Sequence, residues 1–175
     1  MFARLGKLAA TRDRTWGQRR VMLYETLTLI HIISSTVLFG GGVFAGVLGT
    51  IVYGSHKTRW IAEFGPAIVK VELYLTVFAA LTQVVTGFWM ASIADYPLSS
   101  GWLGWALMLL CIAGVCWIFG AWLQHRMVAL SSKAVETNSG LPTEYHKLFK
   151  GWTFLGLPST TAMIGIFYLM VFKPA

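Results

Sequence analysis

Apolar residues gather in four long runs, at 27–53, 73–94, 102–123 and 152–172, and the charged residues lie in the stretches before, between and after them. Each run reaches the roughly 20 residues needed to cross a hydrocarbon core of about 30 Å. None alternates with the two-residue period of a barrel strand. Backbone groups in lipid must find partners within their own segment, so each run predicts a transmembrane helix. The expected fold class is all-α: an integral membrane four-helix bundle over 23–175, preceded by a short basic N-terminal segment over 1–22, with no second domain.

The polar stretches refine this outline. Residues 95–101, DYPLSSG, read as a tight turn that makes the second and third spans antiparallel neighbours. The first connection carries His56, Lys57, Arg59, Trp60 and Glu63 and enters the second span through Pro66, with Lys70 and Glu72 expected to snorkel toward headgroups. The third connection, 127–144, is the longest polar stretch. Trp89, Trp102 and Trp105 cluster about the second connection as an interfacial aromatic belt. Gly42, Ala45, Gly46 and Gly49 form small-xxx-small pairs that invite a close helix neighbour. At the N-terminus Phe2, Leu5 and Leu8 recur at helical spacing, and both an interfacial helix and a disordered basic tail fit them.

Composition removes the soluble classes, since 56% of the 175 residues are apolar and only 12% are charged. The net charge of +7 does not point to nucleic acid, because six basic residues fall in the first twenty positions and the others flank the spans. That placement suits anionic headgroups of the lipid bilayer. Lys and Arg divide evenly between the two sides, and those closest to the spans favour cytoplasmic first and third loops. No apolar core of a signal peptide precedes the first span. Cys111 and Cys116 lie inside the third run at a spacing that matches no metal or redox motif, which makes them packing residues.

Candidate chemistry centres on the first run, LTLIHIISSTVLFGGGVFAGVLGTIVY. It holds one ionisable group, His31, about a turn inside the apolar boundary, and an ionisable residue in a span marks a functional site that needs a partner. Gln83, in the second span, reads first as interhelical glue. Helix alternation places Met90, Met108, Tyr168 and Met170 at a depth similar to that of His31, and puts His56, His125 and His146 at the opposite face. A bundle interior can house haem, with neutral imidazole as axial ligand. On this reading His31 is the metal ligand of a haem b, either alone on a five-coordinate iron or with Met90 or Met108 as the available sixth ligand, and the glycines that include Gly41 leave room for a flat macrocycle. The alternative is that His31 only bonds a carbonyl or serine across the bundle. His125 and His146 flank one loop and could approach each other as a metal or second cofactor site, but solvated interfacial positions beside Arg126, Lys147 and Lys150 account for them better.

The runs LIHIISSTVLFGGG at 29–42 and YHKLFKGWTFLGLPSTTAMIGIFYLMVFKP at 145–174 resemble a bacterial family of uncharacterised four-span membrane proteins, over nearly all of 24–174. More distantly, the chain is similar to the HemJ-type protoporphyrinogen oxidases. In that family a first-span His is followed by an aromatic-small-Gly step, matched here by His31, Phe39, Gly40 and Gly41, and the last span ends in Lys-Pro, matched by Lys173 and Pro174. The resemblance implies an axial haem ligand at His31. Ala106, Val47, Leu155 and Gly156 stand where that family carries a lysine, an arginine and an Asn-Glu pair, so the oxidase activity does not carry over.

Three functions follow as expectations. The first is a multi-pass protein of the bacterial inner (plasma) membrane that binds haem b and serves electron transfer or redox partnering, within a larger membrane redox complex or as a homo-oligomer. The second is a non-catalytic accessory subunit of a respiratory or photosynthetic complex. The third is a porphyrin-oxidising enzyme. No nucleotide-binding loop, nucleophile triad or long intramembrane chain of acids is legible, which argues against ATP-driven transport, hydrolysis and proton pumping.

Overall fold

The computed structural model describes the backbone of residues 2–99 and 101–174 and the side chains of 17–99 and 101–174. Within it the chain forms four helices: α1 Phe2–Gly54, α2 Thr58–Ile93, α3 Gly101–Glu136 and α4 Thr143–Phe172. Among the described residues there are no strands. Each helix contains a segment long and apolar enough to cross a membrane, so the chain is an integral, multi-pass membrane protein in contact with the lipid bilayer. α1 runs through the basic segment without a break, which joins that segment to the first span; the apolar face expected of Phe2, Leu5 and Leu8 lies outside the described side chains.

Packing follows chain order around a square. α1 lies most closely on α2 and α3 on α4, α2 joins the two hairpins, and α1 meets α4 least. Each helix stops at a residue with left-handed backbone: His56 (φ 53°), Asp95 (φ 52°), Asn138 (φ 50°) and Lys173 (φ 42°). After α2 and α3 the closure is of the Schellman type, with Tyr96 N–H donating to Ala91 C=O at 3.0 Å and Ser139 N–H to Ala134 C=O at 2.8 Å. Asp and Asn tolerate that conformation better than most side chains, which is why short polar turns suffice here.

The helices outrun their apolar runs. The expected loop at 127–144 is helical as far as Glu136, and α2 starts at Thr58, ahead of Pro66. At 36 residues each, α2 and α3 are roughly 54 Å long, well beyond a core of about 30 Å. The excess lies at one end, where Arg59, Glu63, Lys70, Arg126 and Lys133 are found, because at the other end Asp95 and Lys173 sit directly beyond the helix termini. The projecting end holds the tightest packing: Tyr53, Ile61, Met127 and Tyr145 are wholly enclosed and form one cluster with Val52 and Ile68. The Tyr145 hydroxyl donates to Tyr53 C=O at 2.8 Å, tying α4 to α1. At the flush end Lys173 Nζ lies over Tyr96 and Trp102, 5.8 and 5.7 Å from their ring centres, and anchors the end of α4 to the turn between α2 and α3.

The glycines of α1 take a different part from the one their spacing suggests. A Cβ built on Gly40, Gly41, Gly42 or Gly46 would meet nothing within 4 Å, whereas one on Gly49 would meet Trp152 Cη2 at 2.7 Å. Among these glycines close approach is therefore confined to Gly49, where the Trp152 ring lies edge-on to Tyr53.

Candidate functional site

One stripe of α2 faces the bundle: Ile61, Gly65, Ile68, Ala79, Gln83 and Thr86 are buried at steps of three and four residues or sums of such steps. Across from its C-terminal half stands His31 of α1, 7% exposed. Its Nδ1 lies 2.8 Å from Thr86 Oγ1, and its Nε2 lies 2.7 Å from Gln83 Nε2. The Thr86 hydroxyl donates to Thr82 C=O at 2.6 Å, and therefore accepts from Nδ1–H. The Gln83 amide N–H then donates to the Nε2 lone pair, while Gln83 Oε1 accepts from Ser34 Oγ at 2.5 Å. The network thus places the proton on Nδ1 and leaves Nε2 as the basic nitrogen. Gly87 completes the setting, because the His31 ring rests where a side chain would begin: a Cβ there would lie 3.2 Å from Cε1.

His31 and Gln83 form part of the wall of a small cleft between the helices that encloses about 60 Å³, room for a few water molecules as it stands. All four helices contribute. Leu38 lines it from α1, Phe88 from α2, Leu107 from α3 and Phe167 from α4, so the polar groups occupy one wall of an otherwise apolar space. Phe39 of α1 meets Phe167 of α4 edge-on at 5.3 Å, bridging these two helices where they otherwise touch little.

The other expected site residues fall elsewhere. Met90 does not line the cleft; its sulfur accepts from Thr28 Oγ1 at 3.4 Å. Met108 is 45% exposed on the outer face of α3, and Gly41 is in open space away from the cleft. The methionines that do line it are Met163 and Met170 of α4. Thr86 and Ser34 had no assigned role in the sequence, yet they orient the imidazole and its partner. Their signal was available: Ser34 follows His31 by one helical turn, and Thr86 follows Gln83 by the same step. At the opposite end His146 packs against His56, ring centres 5.0 Å apart, rather than against His125. Among the described residues no group of three or more His, Cys, Asp or Glu side chains could hold a metal ion.

A second polar group lies toward the projecting end. Glu72 turns inward instead of snorkelling, and Gln124 Nε2 donates to its Oε2 at 2.9 Å. It occupies the same α2 stripe as Ile61, Gly65 and Ile68, a register that its position beside Lys70 conceals.

The family described as "Predicted integral membrane protein (DUF2269)" matches residues 25–174, and the chain belongs to it. No curated protein and no solved structure matches the chain.

Proposed function

We propose that this protein binds a b-type haem in the four-helix cleft through Nε2 of His31 and serves electron transfer in a bacterial plasma membrane. The observation that carries the reading is the fixed state of His31. Metal-bound histidines ordinarily donate their second ring N–H to a protein acceptor, which sets the tautomer and the ring plane. Thr86 supplies that acceptor here, at 2.8 Å. In their chemistry the residues present suit such a group on three counts: a basic nitrogen at the cleft wall, apolar surfaces for a flat ring, and the thioethers of Met163 and Met170 in place of Met90 and Met108. The cleft encloses about 60 Å³, so the apolar side chains of its walls must move apart to admit the ring.

When bound, haem would supply one-electron redox chemistry. The chain's own part is positional. Thr86 holds the Nδ1 proton, Gly87 lets the ring lie flat on α2, and Leu107, Ile166 and Phe167 keep water from the cleft. Gln83 must release Nε2, and its flexible side chain, which also lines the cleft, can do so by rotation. A spectrum of the purified protein, oxidised and then reduced, tests the reading. A Soret band that His31→Ala abolishes is expected; a colourless protein purified from haem-replete cells would overturn it.

A second reading is favoured by the Gln83 contact itself. Because Gln83 gives His31 one of its two amide N–H groups, at 2.7 Å, the second can donate to the carbonyl of a quinone, with the apolar walls taking its ring. Quinone in an organic extract of the colourless protein would select this reading.

A further inference from the structure

Glu72 of α2 belongs to neither reading of the cleft. On one α-helix it stands eleven residues before Gln83, roughly 16 Å along the axis. Its surroundings are unusual for a carboxylate inside a bundle. Arg59 pairs with Glu63 and Arg126 with Glu144, and no ion pair to Glu72 is seen among the described residues. The basic residues beside it in sequence, Lys70 on α2, and beside its partner Gln124, His125 and Arg126 on α3, are exposed.

What faces Glu72 is a set of neutral donors. Gln124 Nε2 of α3 bonds Oε2 directly. Trp117, two turns earlier on the same face of α3, brings Nε1 near the carboxylate without completing a hydrogen bond. Tyr53 of α1 is wholly enclosed, and its hydroxyl, within electrostatic reach of Glu72, is buried and unpartnered. From α4 Tyr145 packs against Tyr53, and its hydroxyl is committed to Tyr53 C=O. An ionised carboxylate has about four acceptor positions, of which Gln124 fills one. Two enclosed donors are left over, and buried polar atoms without partners ordinarily signal a water or ligand bound between them.

The identity of that ligand follows from the sign of the groups. A metal cation is disfavoured because Gln124, Trp117 and Tyr53 all present N–H or O–H. An anion is disfavoured by the carboxylate. We propose that Glu72 is a proton-binding site, with Tyr53 and Trp117, together with bound water, solvating its ionised form. Proton uptake forms one O–H bond on the carboxylate, and the Tyr53 oxygen is then the acceptor at hand. Release returns the proton to the bound water and re-engages both donors. Without a paired cation, taking up a proton is the available means of removing charge from the interior.

Infrared difference spectroscopy of the protein in lipid, titrated between about pH 4 and pH 9, tests this without any cofactor. A carboxylic-acid C=O band is expected to appear and vanish with pH, to be lost in Glu72→Gln and to persist in Glu63→Gln. In Tyr53→Phe the midpoint should rise by about one pH unit, because the ionised form loses a donor. Failure of Glu72→Gln to change any titrating carboxyl band would overturn the proposal. If that variant does not fold, Tyr53→Phe decides alone, and an unmoved midpoint would overturn it equally.

Discussion

His31 keeps both ring nitrogens engaged, and the two bonds differ in what their loss would do. Thr86→Val preserves shape but strands the Nδ1 proton inside the bundle, at a cost of about 1–3 kcal/mol. It also frees the imidazole to exchange tautomers, so haem content should fall along with thermal stability in detergent; an unchanged Soret band and melting temperature would mean that Thr86 does not set the ring. Gly87→Ala presses from the other side, its Cβ 3.2 Å from Cε1, and should displace the ring at a cost of about 1 kcal/mol or more. Gly41→Ala is the contrasting case. Nothing stands within 4 Å of its Cβ, so spectrum and loading should be untouched, and helix propensity favours the alanine by up to about 1 kcal/mol. A loss of cofactor in Gly41→Ala with none in Gly87→Ala would reverse the placement of the site argued from the cleft.

Hydropathy located all four helices but not their ends, and the reason lies in what it measures. A run stops counting as apolar where charges begin, yet α2 and α3 continue past that point because one face still has something to bury. On α3 the face is Met127, Ser131 and Ala134; on α2 it is Ile61, Gly65 and Ile68, with Arg59 and Glu63 paired on another, exposed side. The four-three spacing that carries Ile61 to Gly65 and Ile68 continues to Glu72, so the inward turn of that carboxyl was legible from register though not from hydropathy. His31 and Gln83 stood out as polar residues in apolar runs. What spacing alone could not show was which methionine and which glycine would face them, because that depends on the rotation of each helix about its axis. Gly65 tests the projecting end. A Cβ there would lie 2.7 Å from Cγ2 of Val128, whose β-branched side chain has little rotamer freedom to withdraw. Gly65→Ala should therefore destabilise by about 1–3 kcal/mol by wedging α2 from α3, and a melting temperature equal to that of the parent would show that these helices tolerate separation.

Taken whole, the molecule is two helical hairpins, each held together more extensively than it is held to the other. The tight cluster around Tyr53 and Tyr145 locks them at the projecting end. At the flush end Phe39 on Phe167 and Lys173 over Tyr96 and Trp102 do less, and the cleft opens between them. In lipid, apolar helices insert first and associate afterwards through packing and hydrogen bonds, so a continuous chain through the turn at 95–101 is not needed for assembly. The pieces 1–97 and 98–175, expressed together, should insert separately and copurify through a tag on either. Neither piece alone should take up haem, because the wall opposite His31 comes from α3 and α4; the reassembled pair should regain it. Two inserted pieces that failed to find each other would mean that the tyrosine cluster and the α2 to α3 seam cannot hold the hairpins without the covalent turn.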